Sequence, residues 1–232
     1  MSNPFFRFRQ FTVYHDLCAM KVGVDGVLLG AWADCRNIKN ALDVGTGSGL
    51  IALMLAQRSE AHIHAIDIDE NACKQAEINF KNSPFYNRFS VQQIDFQNFS
   101  SPVRYDLIVS NPPYFAHSLK SPDKNRSLAR HNDHLPLEIL IKKSASLLNP
   151  QGKIAFILPF GLWENAHLSA SENQLFLCRK TLVSTLPDNP PKRVLLEYSL
   201  THLLSEEDSF YIGESKHTYS DNYRTLTEDF YL

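Results

Sequence analysis

The stretch Leu42-Asp43-Val44-Gly45-Thr46-Gly47-Ser48-Gly49 decides the expected fold, because alternating glycines directly follow a short apolar segment. The apolar pattern predicts a buried strand at residues 41–44 and a helix at residues 50–57. Glycines between such elements let the backbone turn tightly and approach a ligand without a Cβ in the way. The last glycine comes one position too early for the dinucleotide signature G-x-G-x-x-G. The spacing therefore favours a loop beside the amino-acid part of a nucleoside ligand.

Outward from this loop, segments with the pattern of strands alternate with segments that have helical periodicity. We predict strands at residues 63–66, 89–94, 105–110 and 153–158, and helices at residues 69–80 and 135–148. A closing antiparallel pair is expected at residues 174–185 and 193–202. The alternation is typical of the α/β class, with a mostly parallel sheet, right-handed crossovers and helices on both faces. We expect one domain with an N-terminal cap (1–40), a core (41–202) and an acidic C-terminal extension (203–232).

The composition excludes several other classes of protein. The chain has 232 residues, 44% of them hydrophobic and 21% charged, and a net charge of −2, so it is not a general polyanion binder. Basic residues are concentrated in segments 1–42 and 117–131, which permits a local phosphate-binding face. The four cysteines are scattered, so we expect no metal site or disulfide framework. We expect a cytoplasmic protein, because neither a secretory signal nor a membrane-spanning segment is recognisable.

Acidic residues follow the two strands after the glycine loop. We expect Asp67, with Ile68 beside it, to bind a ribose through its two hydroxyls. Asp69 is equally well explained as the N-cap of the following helix. Asp95 and Phe96 end the next strand, where the acid would hold an adenine amino group and the ring would cover the base. The alternative for this pair is a loop acid beside a core aromatic residue.

A further motif, Asn111-Pro112-Pro113-Tyr114, ends the predicted strand at 105–110. Together with the glycine loop it resembles the class I amino-methyltransferases, which methylate adenine N6, cytosine N4 or glutamine N5. The resemblance implies S-adenosylmethionine as cofactor, no metal, and a Rossmann-like sheet of seven strands with one antiparallel strand. In this reading Asp43, Gly45, Gly47 and Gly49 also belong to the cofactor site.

The chemistry of these targets explains the motif. Each is a planar NH2 group whose lone pair is delocalised, so its nitrogen is a poor nucleophile. The Asn111 side-chain oxygen and the Pro112 carbonyl can each accept one N–H, which pulls the nitrogen toward sp3 geometry. Tyr114 would stack on the target, as expected for a base flipped out of its stack. Positioning then supplies most of the catalysis.

Residues outside the core narrow the resemblance. Segments 6–11, 18–32, 129–131 and 226–232 resemble the bacterial tRNA1(Val) adenine-37 N6-methyltransferases, with Val24 departing from the expected small polar residue. The resemblance implies that a glycine-bearing loop at residues 21–26 closes over the methionine end of the cofactor. Asp25 would contact the α-ammonium of the cofactor, and Lys21 would contact its carboxylate or the RNA. Gly26 would also belong to the cofactor site. The alternative is a helix-entry loop with surface charges.

The same resemblance implies a tRNA substrate and a monomer that needs no protein partner. Candidate ligands of tRNA phosphates are the basic residues Arg7, Arg9, Arg126, Arg130, Lys192 and Arg193. Four rival functions stay open. Two are other methyltransferases, namely a protein-glutamine N5-methyltransferase acting on release factors and another adenine-N6 methyltransferase acting on RNA or DNA. The other two are a nicotinamide oxidoreductase and a catalytically silent RNA-binding module.

Overall fold

The computed structural model describes residues 3–18, 20–113, 135–215 and 218–232. The chain begins with an antiparallel hairpin of β1 (Phe5–Arg7) and β2 (Thr12–Tyr14), followed by helix α1 (Val24–Trp32). The glycine loop joins β3 (Asn40–Val44) to α2 (Leu50–Arg58). β4 (His62–Asp67) and α3 (Glu70–Lys81) come next, then β5 (Phe89–Gln93) and β6 (Tyr105–Ser110).

The second half of the chain completes the sheet. It contains α4 (Leu137–Leu147), β7 (Leu148–Pro159), α5 (Trp163–Glu172), β8 (Phe176–Ser184), β9 (Arg193–Ser199) and β10 (Glu206–Tyr211). A two-stranded ribbon of β11 (Gly213–Ser215) and β12 (Thr218–Tyr219) leads into α6 (Asp221–Thr227). The strand order is β10-β8-β9-β7-β6-β3-β4-β5. Only β9 runs antiparallel to its neighbours in this sheet, as predicted.

The prediction of seven strands was wrong, because the described sheet has eight. The additional strand is β10, which pairs in parallel with β8 and comes from the segment predicted to be an acidic extension. Its acids suit an edge position, where charged side chains discourage further strand pairing. Glu207 also forms an ion pair with Lys180 of β8, at 2.6 Å.

Two apolar layers cover the two faces of the sheet. Helices α1, α2, α3 and α6 pack with the N-terminal hairpin on one face, and α4 and α5 pack on the other. The strands between them are buried on both sides, which explains their continuous apolar sequences. The C-terminus closes against the hairpin, since the Arg9 N–H donates to the Phe230 carbonyl at 2.9 Å. Within the described ranges no helix is both long and apolar enough to cross a membrane.

Candidate active site

A cleft of about 230 Å³ lies at the carboxyl ends of β3, β4 and β6. This is the edge of an open α/β sheet at which ligands bind. The cleft brings together many of the residues predicted to bind cofactor or substrate, namely Gly45, Gly47, Asp67, Ile68, Asp95, Phe96, Asn111 and Pro112. Gly45 and Pro112, which are 67 positions apart in the sequence, thus contribute to one site.

The glycine loop is held open toward the cleft. Gly45 and Gly47 have φ angles of 72° and 55°, in the left-handed region that favours glycine. The backbone N–H groups of Gly45 and Thr46 both donate to the Ile66 carbonyl, at 2.9 and 3.0 Å. A Cβ at Gly45 or Gly47 would meet no atom within 4 Å, so the loop leaves open space on its ligand side.

Asp43 supports this loop from below and does not line the cleft. Its side chain is fully buried, and its Oδ2 accepts a hydrogen bond from Thr46 Oγ1 at 2.7 Å. Burial raises the pKa of Asp43 to about 7, although the Thr46 hydrogen bond and the Ala52 backbone N–H oppose that rise. Its Oδ1 has no hydrogen-bond partner among the described residues.

Asp67 is oriented into the cleft by the backbone around it. Its Oδ2 accepts from the Gly47 N–H at 2.9 Å, and its Oδ1 accepts from the Asp69 N–H at 3.0 Å. Burial raises the pKa of Asp67, and these hydrogen bonds oppose the shift. Each carboxylate oxygen keeps a second lone pair for a ligand hydroxyl. Asp69 is the N-cap of α3, since its Oδ1 accepts from the Asn71 N–H at 2.8 Å.

Asp95 and Phe96 have structural roles in the loop and the core, and both also line the cleft where a cofactor contact was predicted. Asp95 caps a short 3-10 turn (Phe96–Asn98), accepting from the Gln97 N–H at 2.9 Å. Phe96 is 4% exposed and packs in the core, with Lys143 Nζ 5.8 Å from its ring centroid. Both residues nevertheless line the cleft, as does Ile68, which is 52% exposed. This part of the cleft can therefore offer apolar side chains to a flat ring.

The Asn-Pro-Pro segment leaves β6 directly beside the glycine loop. Ser110 Oγ donates to the Val44 carbonyl at 2.8 Å, which ties the end of β6 to the end of β3. Pro112 is buried and Asn111 is half-buried, and both line the cleft. The Asn111 amide can therefore contact a ligand there. Tyr114 lies outside the described residues.

The expected loop at residues 21–26 is only partly a loop, because α1 begins at Val24. Asp25 lies in the first turn of α1 and accepts a hydrogen bond from Arg193 Nε at 2.8 Å. The residues predicted to bind cofactor and RNA thus pair with each other. Lys21, Asp25 and Gly26 do not line the cleft, and Gly26 is buried, with Leu50 nearby.

The other residues predicted to bind RNA are spread over the surface. Arg7 and Lys192 are exposed, and Arg9 is exposed while its Nε donates to the Tyr231 carbonyl. Arg126 and Arg130 lie outside the described residues. In the part of the chain that the structure describes, no group of three or more His, Cys, Asp or Glu side chains is placed to hold a metal ion.

Two cleft residues in the N-terminal segment were missed. Cys18 and Met20 line the cleft next to Asp67, where residues 21–26 were expected. Burial, reinforced by the nearby Asp67 and Asp69 carboxylates, raises the pKa of the Cys18 thiol to about 12. Cys18 therefore contributes a neutral wall to the cleft. Both residues belong to segment 18–32, which only the family resemblance had marked.

Comparison with known proteins agrees with this geometry. A family model described as "Methyltransferase small domain" matches residues 27–168. The chain is 52% identical to a protein of Parabacteroides distasonis named tRNA1(Val) (adenine(37)-N6)-methyltransferase, over 100% of this chain and 99% of that protein. Proteins of the same name from Phocaeicola vulgatus and Trichodesmium erythraeum are 48% and 43% identical, again over 100% of this chain and 99% of each relative.

Solved structures confirm the fold. A predicted O-methyltransferase from Agrobacterium tumefaciens superimposes with a TM-score of 0.70 at 16% identity, covering 89% of this chain and 96% of the other. The glycopeptide N-methyltransferase MtfA, solved with S-adenosylmethionine, has a TM-score of 0.57 at 12% identity, covering 78% and 90%. At these identities the likeness shows a Rossmann-like methyltransferase fold.

Proposed function

The chain belongs to the tRNA1(Val) (adenine(37)-N6)-methyltransferase family, and on that premise we propose that it methylates N6 of adenine 37, beside the anticodon of tRNA1(Val), with S-adenosylmethionine as methyl donor. The observation that carries the proposal is a shared cleft. Asn111 and Pro112, which can hold a planar amino group, line the same cavity as Gly45, Gly47 and Asp67. The amino group that accepts the methyl and the nucleoside cofactor that donates it would therefore bind in the same cavity.

The residues of the cleft fit S-adenosylmethionine. Asp67 presents two carboxylate oxygens to a ribose, and its raised pKa reflects a buried position at which such hydrogen bonds are strong. The open space beside Gly45 and Gly47 accepts the part of the ligand nearest the loop. Ile68 and Phe96 offer apolar surfaces to a purine, with Asp95 at its edge. When bound, S-adenosylmethionine supplies an electrophilic methyl group on a sulfonium.

Asn111 and Pro112 prepare the acceptor nitrogen. The amide oxygen of Asn111 accepts one N–H of the adenine amino group and the carbonyl of Pro112 accepts the other. Because both hydrogens are held, the lone pair turns away from the ring and toward the methyl donor. The rigid proline ring fixes the direction of its carbonyl, so the arrangement requires little reorganisation. After methyl transfer the nitrogen releases one proton, which solvent at the open cleft can accept.

Methyl transfer to two matched tRNAs tests the proposal. The purified protein is incubated with methyl-labelled S-adenosylmethionine and tRNA1(Val) transcripts that carry adenine or guanine at position 37. We expect label only in the adenine transcript, recovered as N6-methyladenosine, and a fall in kcat of about 100-fold for Asn111→Ala. Leu204→Ala, at a 93% exposed position remote in sequence, is the control.

Two outcomes would overturn the proposal. Label found only in a release factor offered in parallel would indicate the glutamine-methylating alternative. Unchanged activity of Asn111→Ala would refute the role given to the amide. The roles of Lys21, Asp25, Gly26, Lys192 and Arg193, the monomeric state and the cytoplasmic location stay predictions.

A further inference from the structure

One face of the N-terminal hairpin exposes two aromatic rings beside an arginine. The strand register pairs Phe5 with Tyr14 and Arg7 with Thr12, and side chains alternate between faces, so these four residues share one face. Phe5 and Tyr14 are each 38% exposed, and their ring centroids are 5.7 Å apart with planes at 52°. We call this face the hairpin platform.

We propose that the hairpin platform binds nucleotides that flank the target adenine, with bases stacked on Tyr14 and Phe5 and a phosphate held by Arg7. The inference rests on the proposed function and specifies where the RNA docks. Bases of single-stranded loops bind proteins by stacking on aromatic side chains, which contributes about 1–3 kcal/mol per base. An arginine beside the rings adds a charged contact to the backbone.

The platform lies close to the cleft along the chain. Cys18, which lines the cleft, is four positions after Tyr14 in the sequence, so the two Cα atoms are at most about 14 Å apart. That distance corresponds to about four stacked nucleotides. Leu17, in this connecting segment, and Met20, just beyond Cys18, are apolar and are 42% and 66% exposed. Exposed apolar side chains thus lie near the rim of the cleft, together with the exposed acid Asp16.

Two buried amides on α3 hold the platform in place relative to the cleft. Asn79 accepts from the Tyr14 N–H at 3.0 Å and donates through Nδ2 to the carbonyls of Tyr14 and Ser48, both at 2.8 Å. Ser48 belongs to the glycine loop, so one side chain joins platform and cofactor loop. Gln75 Oε1 accepts from the Leu17 N–H at 2.9 Å. Neither amide is more than 1% exposed.

The character of the platform favours RNA over a protein partner. Residues 3–15 include Arg7 and Arg9 and no acid, in a chain whose net charge is −2. The platform has four side chains, far short of the 20–30 residues per side in a standard protein interface. Two aromatic rings and one cation are sufficient to bind two bases and a phosphate.

Steady-state kinetics of Tyr14 variants test the proposal. We expect Tyr14→Ala to raise the KM for tRNA roughly 10-fold, as the loss of one stacked base implies. The kcat at saturating tRNA and the Kd for S-adenosylmethionine should stay as in the wild type. Tyr14→Trp should restore the KM because it keeps a stacking surface. The matched control is Tyr219→Ala, which removes a 57% exposed ring from β12.

A second pair of measurements keeps the test decisive if Tyr14→Ala folds poorly. Phe5→Ala should raise the same KM, and Arg7→Gln should reduce the slope of log KM against log salt by about one. Unchanged KM values in the Tyr14 and Phe5 variants of an active enzyme would overturn the platform and leave the proposed function intact. A change of oligomeric state in Tyr14→Ala would also overturn it, by indicating contact with a second copy. A wild type inactive on tRNA would instead contradict the proposed function.

Discussion

Gly45 and Gly49 have similar backbone angles and different surroundings, which makes alanine at each position a matched pair of perturbations. Their φ angles are 72° and 80°, both in the left-handed region. A Cβ on Gly49 would lie 2.5 and 2.8 Å from two ring atoms of Phe80, whereas a Cβ on Gly45 would meet nothing within 4 Å. The two substitutions therefore share backbone strain and differ in packing.

The expected loss of stability follows from these two contributions. Left-handed backbone costs alanine about 1–2 kcal/mol relative to glycine, so Gly45→Ala should lower the free energy of unfolding by that amount. Crowding of a packed core adds about 1–3 kcal/mol. Gly49→Ala should therefore lose about 2–5 kcal/mol in total. Phe80 cannot easily move aside, because its ring stacks on Phe89 with centroids 4.0 Å apart.

The affinity for S-adenosylmethionine should change in the opposite order in these two variants. Gly45 lines the cleft and Gly49 does not, so Gly45→Ala should weaken S-adenosylmethionine binding more than Gly49→Ala does. Urea unfolding followed by circular dichroism measures stability, and titration calorimetry measures the Kd. A double-mutant cycle with Phe80→Leu should show a coupling energy of about 1–3 kcal/mol at position 49.

Specific results would refute this reasoning. Equal loss of stability in the two alanine variants, or no coupling between positions 49 and 80, would contradict the role of the Phe80 contact. An unchanged Kd in Gly45→Ala would show that the space beside this glycine is not where the cofactor lies.

Three further predictions concern buried polar groups. Asn79→Ala should lower the free energy of unfolding by about 2–4 kcal/mol, because it leaves backbone groups of Tyr14 and Ser48 without hydrogen-bond partners. Urea titration measures this loss, and a variant as stable as the wild type would contradict the prediction. Asp67→Asn should raise the Kd for S-adenosylmethionine roughly 10- to 100-fold, because one of the two oxygens that accept from the ribose is replaced by an NH2 donor. Titration calorimetry measures the Kd, and an unaltered value would contradict the role of Asp67. Without ligand, stability should fall as the pH rises from about 4 to about 7, because the Asp43 carboxyl of the unfolded chain ionises near its ordinary pKa of 3.8 while burial raises its folded pKa to about 7. Asp43→Asn should flatten this slope, and an unflattened profile would contradict the assignment.

Much of the fold follows from local sequence signals, because parallel strands buried on both faces have continuous apolar sequences between turn residues. The strands around residues 41–44, 63–66 and 105–110 are therefore found where they were expected. β10 was missed because its sequence has no such apolar run. Its sequence begins Glu206-Glu207-Asp208, and only pairing with β8 makes an acidic segment a strand. Edge strands carry little periodic signal of their own.

The residues of the site likewise include some that the sequence predicts and some that it does not. Gly45, Gly47, Asp67, Asp95 and Asn111 all lie at the end of a strand or just after it. Knowing that parallel strands end at one edge is therefore sufficient to group them. Cys18 and Met20 follow no core strand. They reach the cleft because Gln75 and Asn79, polar residues on a helix, hydrogen-bond the backbone before them. No pattern in the sequence distinguishes such buried amides from surface ones.

The pairing of Asp25 with Arg193 bears on how RNA would be recognised. Arg193 was a candidate phosphate ligand, yet its Nε is bound to a carboxylate at 2.8 Å, and Arg9 Nε is bound to a backbone carbonyl. Each is therefore less available to a phosphate than its sequence suggests. Stacking on the hairpin platform does not compete with these contacts, because it uses rings that remain exposed. A chain with a net charge of −2 can thus bind one folded RNA through shape and stacking, with few phosphate contacts, and avoid binding nucleic acids in general.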